Sequence, residues 1–215
     1  MPDLVELWPL FGLRLQVEHL ELRIPDEALL LKLAQVAADG ISRAGEMAFD
    51  FHWADDSPQG RARSTMGAVW QSWAALSSWE WGLNFAVVRS GQVVGAQHLG
   101  ANGFPVVRDV VTGSWLGLPF QGQGIGTLMR TAVLALAFDG LGALSASTSA
   151  WDDNAGASRV SERLGYEPNG TQWEQRRGER RQKTRFLLTA EAWRARARPE
   201  VSVEGLEPCL PLFGL

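Results

Sequence analysis

SWLGLPFQGQGIGTLM, Ser114 to Met129, reads as an apolar strand (Trp115, Leu116, Leu118) that enters Gln121-Gly122-Gln123-Gly124-Ile125-Gly126 and leaves as a helix, Thr127 to Leu136. Strand, glycine-rich turn and helix start together make a device for holding phosphate. The first N–H groups of a helix have no partner inside it, and the helix dipole adds positive potential where they point. Gly122, Gly124 and Gly126 allow a sharp turn and a close approach with no Cβ in the way. The spacing is not G-x-x-x-x-G-K-[ST], because no Lys follows the glycines. A dinucleotide fingerprint would need an acidic residue at the end of the next strand, and that strand, Ala143 to Thr148, ends in Ser149-Ala150-Trp151.

What the turn does satisfy is Q/R-x-x-G-x-G/A, through Gln121, Gly124 and Gly126. Downstream, Asp153-Asn154 opens a second helix that carries Val160 and ends at Leu164-Gly165-Tyr166. On these two motifs the chain resembles the GNAT family of acyl-coenzyme A-dependent N-acyltransferases. The second is similar to the N-x-x-S-x-x-V-x-x-x-x-G-[FY] signature of the branch that contains ribosomal-protein N-terminal acetyltransferases. The resemblance runs from Leu13 to Leu188. It implies an α/β fold whose mixed central sheet, of about seven strands, is split by a bulge and flanked by helices.

Composition bounds the rest. The chain has 215 residues, 46% hydrophobic and 20% charged, which suits one soluble domain with tails. A formal charge of −4 gives no general reason to expect nucleic acid or an anionic membrane as partner. Cys209 is alone, so no intrachain disulfide forms, and His19, His52 and His98 are scattered without metal-ligand spacing. No metal is expected. The start, MPDLVELWPLFG, lacks a basic region and a long apolar run, and the apolar helix at Thr131–Phe138 is too short to span a bilayer. The expectation is a cytoplasmic protein.

Along the chain, Leu13, Leu15, Val17, Leu20, Leu22 and Ile24 alternate with polar residues as one half-buried strand. Asp26 caps a helix to about Ala38, and Ser57-Pro58 opens another to about Leu76. Leu83–Val88 and Gln92–Leu99 form a hairpin around Ser90-Gly91, and Val106–Leu118 is a strand interrupted at Thr112-Gly113. Beyond the second motif come strands from Tyr166 and from Lys183, joined by a basic turn, Arg176 to Lys183, then a short helix from Thr189. The domain is expected over 1–198. The tail, 199–215, ends in Pro211-Leu212-Phe213-Gly214-Leu215, an identical copy of Pro9-Leu10-Phe11-Gly12-Leu13. An apolar pentapeptide should not sit free in water, so both copies are expected to dock in apolar grooves, on the domain or across a homodimer interface.

The resemblance also implies a chemistry. Acetyl-coenzyme A, or another short thioester such as succinyl-coenzyme A, lays its pyrophosphate on the amides of Gln123, Gly124, Ile125, Gly126 and Thr127. Its pantetheine arm pairs beside Leu116 and Leu118, with the N–H near Leu118 as oxyanion donor, and Asn154 bonds the arm. A helix N-cap is the alternative use of Asn154. The general base is less defined: Val111 stands where branch relatives carry Glu, leaving Asp109, two residues earlier, and His98 as candidates. The thiolate's proton donor is expected at position 157, which is Ala157; Ser158 follows and is the candidate. Between the first two strands, Glu46, Asp50 and Trp53 combine acids and aromatics suited to a cationic amine, either a small molecule or a protein N-terminus. A coenzyme A-binding sensor without catalysis is the competing class.

Overall fold

The computed structural model describes residues 3–43 and 52–215. One nine-stranded sheet organises them, in the order β7-β8-β6-β5-β4-β3-β2-β1-β9. The strands are β1 (Arg14–Val17), β2 (Leu20–Arg23), β3 (Glu80–Arg89), β4 (Gln92–Asn102), β5 (Asp109–Leu116), β6 (Ser145–Trp151), β7 (Glu167–Arg176), β8 (Glu179–Thr189) and β9 (Val201–Glu204). The helices are α1 (Leu4–Leu7), α2 (Glu27–Asp39), α3 (Pro58–Ala74), α4 (Phe104–Val107), α5 (Ile125–Ala135), α6 (Ala155–Leu164) and α7 (Ala190–Arg194). Only β5 and β6 pair in parallel.

The sheet has two strands more than expected, for two local reasons. The alternating run from Leu13 to Ile24 folds on itself: Glu18 takes φ 50°, and β1 returns as β2 with Val17 opposite Leu20. At the other end, the tail adds β9 antiparallel to β1. Between Val106 and Leu118 the expected interruption is absent. The turn α4 comes first, and β5 then runs unbroken against β4 from Val111 to Leu116. The irregularity sits one strand over, where the β3–β4 register shifts at Val87/Val88 and leaves Val94 out of the pairing.

Local chemistry accounts for the helices. Asp26 Oδ1 accepts the Leu29 N–H at 2.8 Å, and Gly40, at φ 120°, stops α2. Ser57 Oγ accepts the Gly60 N–H at 3.0 Å with Pro58 in the first turn of α3. Helices α2 and α3 cover one face of the sheet through Leu29, Leu30, Leu33 and Val69. The opposite face carries α5, whose Ile125, Met129 and Ala132–Ala135 are all buried in the main core. No helix of the described residues is long and apolar enough to cross a membrane.

The tail is part of that core. Pro9–Gly12 and Glu207–Phe213 both form 3-10 turns, and the two touch. Phe213 is fully buried with its ring 4.9 Å from that of Trp81. Cys209 is buried as well, its thiol donating to the Gly205 carbonyl at 3.2 Å, and burial pushes it up to about 11. Phe213→Ala is expected to cost about 3–5 kcal/mol through the cavity beside Trp81. Urea unfolding measures this, and a loss under 1 kcal/mol would mean that the tail packs loosely.

Candidate active site

The site begins with how two parallel strands part. β5 and β6 pair only at Asp109/Ser145, Val110/Ala146 and Val111/Ser147. Beyond that point β6 follows β8 to Trp151, while β5 follows β4 to Leu116. Thr148 Oγ1 donates to the Thr112 carbonyl at 3.0 Å at the apex of the fork. Along the free edge of β5, hydrogen-bonding direction alternates. The Gly117 N–H is given to Val94, so the N–H groups of Ser114 and Leu116 and the Ser114 C=O turn into the fork, while the Leu116 C=O is taken by Gln121 Nε2. A groove of about 1380 Å³ occupies it, lined by both strands, the glycine turn, α5 and α6.

The glycine turn closes one end. Gly122 and Gly124 take φ 73° and 81°, a conformation that side chains rarely adopt, and Gly124 caps α5. No carbonyl among the described residues accepts the N–H groups of Gly122, Gln123, Gly124, Ile125 or Gly126, whereas that of Thr127 turns back to Gly124 at 3.0 Å. Five donors remain at a positive helix end, shifted one residue toward the N-terminus from the expected set. The loop is braced by its glutamines. Gln121 Nε2 donates to the carbonyls of Ile41 and Leu116, and Gln123 donates to Pro119 while accepting from Arg89 Nη1 at 2.6 Å. Leu118 does not line the groove. Its N–H is committed to the Gly40 carbonyl at 3.0 Å, which corrects its expected role as oxyanion donor. The N–H groups that face the fork are those of Ser114 and Leu116.

The proposed acids and bases separate in the same way. Asp109 accepts from Ser145 Oγ at 2.6 Å and from Ser147 Oγ at 2.9 Å, below the apex and off the groove wall, so it staples β5 to β6. Ser158 Oγ bonds back to the Asn154 carbonyl at 3.4 Å and does not line the groove; the helix register presents Ala157 and Val160 instead. Asn154 does line it, while its Oδ1 caps α6 through the Ala157 N–H at 3.1 Å. Trp53 meets Trp115 edge-on at 5.9 Å above the groove. Glu46 and Asp50 lie outside the described residues.

His98 is brought to the groove beside Val111 and Gly113. A relay of hydrogen bonds fixes its ring. Ser72 Oγ donates to the Val69 carbonyl at 2.7 Å, so it accepts from Asn84 Nδ2 at 3.1 Å. The Asn84 Oδ1 then faces His98 Nδ1 at 3.2 Å, which places the proton on Nδ1 and the lone pair on Nε2. Nε2 lies over Gly100, so close that a side chain there would have no room, and Gly100 is the cross-strand partner of Val111. Burial holds the imidazole below its ordinary 6.5, against a smaller upward pull from the Leu83 carbonyl.

The remaining walls are basic. Arg43, Arg159, Arg163, Lys183 and Arg185 line the groove, with Asp153 as its acid among the described residues, and Asp153 is held by Arg176 and Arg181. That guanidinium contact keeps the Asp153 carboxyl below the usual range. No cluster of three or more His, Cys, Asp or Glu among the described residues is placed to hold a metal.

Comparison with known proteins gives the same region a context. The sequence model of the acetyltransferase (GNAT) domain matches residues 19–167. The fold is similar to that of RimL, a ribosomal L7/L12 alpha-N-protein acetyltransferase solved in complex with coenzyme A. That match has 19% identity, 83% of this chain and 99% of that one covered, and TM-score 0.67. A GCN5-related N-acetyltransferase from Brucella melitensis matches at 20% identity, covering 85% and 80%, with TM-score 0.66. An acetyltransferase (GNAT family) from Bacillus anthracis matches at 14%, covering 83% and 99%, with TM-score 0.63.

Proposed function

The chain belongs to the acetyltransferase (GNAT) family, and we propose that it transfers an acyl group, acetyl in the first instance, from coenzyme A to a primary amine. One juxtaposition carries this: five unpartnered loop N–H groups at a helix start open onto two parting strands with free backbone edges. Phosphates fit the first and an extended amide chain fits the second. The basic side chains Arg159 and Arg163, one turn apart on α6, suit the nucleotide end of the donor.

In this reading the thioester carbonyl lies against the N–H of Ser114 or Leu116, which stabilises the oxyanion as the amine attacks. The nitrogen lone pair forms the C–N bond, the C–S bond breaks, and coenzyme A leaves as thiolate. His98 Nε2 takes the ammonium proton, from the position on the sheet where Val111 offers no carboxylate. The acceptor enters past Trp53 and the β7–β8 hairpin, which an Asp55–Arg177 ion pair ties together. The acceptor in this reading is a small amine or a protein N-terminus.

The test is release of free thiol from acetyl-coenzyme A with a panel of diamines, amino acids and short peptides with free N-termini. Amine-dependent thiol release with a matching acylated product is expected. Calorimetric binding of coenzyme A without release by any amine would favour a sensor instead, and no binding would overturn the assignment of the groove.

A further inference from the structure

The helix that should donate a proton to the departing sulfur offers a methyl group there, and a buried charge lies one turn away. Ala157 lines the groove at the place where the resemblance implies a proton donor, and it has no proton to give. On the same face of the sheet, Arg130, in the second turn of α5, is 4% exposed and also lines the groove. Its Nη1 donates to Ser161 Oγ at 3.1 Å and its Nη2 to Ser114 Oγ at 3.4 Å, while its Nε is buried without a partner. No carboxylate among the described residues pairs with it. The other buried cations differ: Lys183 is paired with Glu174 at 2.8 Å, and Arg176 is paired with Asp153.

A buried guanidinium with only hydroxyl partners costs the fold, because burying a charge without a counter-charge is expensive. The charge stays, because Arg cannot shed its proton within the physiological range. Its tethers fix where it acts. Ser161 Oγ gives its own proton to the Ala157 carbonyl at 3.1 Å, so toward Arg130 it serves only as acceptor. That chain of bonds ties the guanidinium to the first turn of α6, one helical turn from Ala157. The second tether, Ser114, belongs to β5, where its N–H faces the fork. Arg130 is thereby held between the strand edge on which the thioester is proposed to lie and the helix position that lacks its acid.

We propose that Arg130 stabilises the leaving thiolate, its fixed positive charge meeting the negative charge that develops on the coenzyme A sulfur in place of a proton donor. This rests on the coenzyme A-dependent transfer proposed above and adds a catalytic residue to it. The nitrogen lone pair forms the C–N bond, and the C–S bond breaks with its electron pair left on sulfur. The protons shed by nitrogen pass to His98 Nε2 and to water, on the opposite face of the sheet. The sulfur leaves as an anion beside the guanidinium and takes a proton from water once coenzyme A is outside. Because that charge appears only as the C–S bond breaks, the effect falls on kcat rather than on KM.

The thiol of bound coenzyme A reports the charge without any turnover. An ordinary alkyl thiol ionises near about 8.5, and a neighbouring cation favours the thiolate. Free coenzyme A is titrated on the saturated protein by the ultraviolet absorbance of its thiolate, with the protein alone subtracted. The midpoint is expected to lie at least about one unit below that ordinary value, which is about ten-fold more thiolate at a given lower pH. Cys209 stays silent in this range, since burial pushes its thiol up to about 11. Arg130→Met should return the midpoint to the ordinary value or above, and Arg130→Lys should keep part of the depression. Ser161→Ala, which keeps the charge and loosens its aim, should fall between. With acetyl-coenzyme A and an accepted amine, Arg130→Met should lose roughly 10²-fold in kcat with KM little changed. A bound thiol that titrates at or above the ordinary value in the wild type overturns the proposal, as does a depressed midpoint that survives in Arg130→Met. If calorimetry shows no binding of free coenzyme A, the groove reading itself falls and this role with it.

Discussion

Gly124→Glu is expected to remove measurable coenzyme A binding from a protein that still folds. Gly124 caps α5 at φ 81°, ψ −10°, a conformation that costs a side-chain-bearing residue roughly 1–2 kcal/mol. No atom lies within 4 Å of the position its Cβ would take, so the new side chain meets no wall and the fold survives. That empty space is the point. It is where a pyrophosphate would sit against the N–H groups of residues 122–126, and a Glu there both fills it and places a negative charge before two more. Gly124→Ala, which keeps the strain and lacks the charge, should weaken binding far less. Calorimetry on the three proteins, with circular dichroism to confirm folding, decides the matter. Binding by Gly124→Glu within ten-fold of wild type would mean that the phosphates lie elsewhere.

His98→Gln is expected to lower kcat by about 10²–10⁴ and to erase the acid limb of the pH profile. The folded imidazole titrates below 6.5 because burial disfavours its cation, and no charged neighbour contributes to the shift. Protonation removes the base, so the rate should fall as pH drops through a midpoint below 6.5. The amine's own ionisation lies well above that range and affects the profile on the alkaline side. Stability should move in the same direction. Below 6.5 the unfolded chain takes up a proton that the native histidine refuses, so native stability declines as pH falls toward the folded value. Gln keeps a polar group near Asn84 but cannot take up the ammonium proton. An unchanged kcat in His98→Gln would assign the proton transfer to solvent. Asn84→Ala should lower kcat without blocking binding, because it frees the ring to change tautomer and removes the lone pair from Nε2 part of the time.

Where local chemistry writes structure, the sequence was transparent. Asp26 and Ser57-Pro58 mark helix starts, Ser90-Gly91 marks a turn, and Gln121 to Gly126 mark a strand-to-helix turn, because caps and positive φ select a few residue types. Alternation cannot show where a strand folds back, however, so Leu13–Ile24 looked like one strand although Glu18 turns it. The tail strand, Val201–Glu204, is too short to announce itself before β1 offers an edge. Among candidate site residues, the shape of the turn was legible since positive φ at Gly122 and Gly124 selects glycine. Asp109 and Leu118 were misjudged because a side chain's or amide's availability depends on partners distant in sequence, Ser145 and Ser147 for one and Gly40 for the other, and Ser158 because it bonds back one helical turn to the Asn154 carbonyl. The Ser72–Asn84–His98 relay joins three elements and leaves no spacing to find. Arg130 did leave a signal: a lone charge amid Ile125, Leu128, Met129, Val133 and Leu134, in a helix otherwise fit for full burial.

The three-pair junction of β5 and β6 makes the sheet two rafts with a narrow tie. One raft is β9 with β1 to β5, the other is β6 to β8, and Thr112 to Leu116 has no strand on its outer side. In the proposed binding mode, a ligand extended along that edge would work as a mechanical splint, bonding one raft while its phosphates rest on the helix that connects them. The least protected amides of the resting sheet then belong to the seam, and occupancy is what seals it. At a hundred-fold excess over Kd that splint adds about 2.7 kcal/mol to the whole fold. Donor binding is thereby expected to raise resistance to unfolding and proteolysis as occupancy rises.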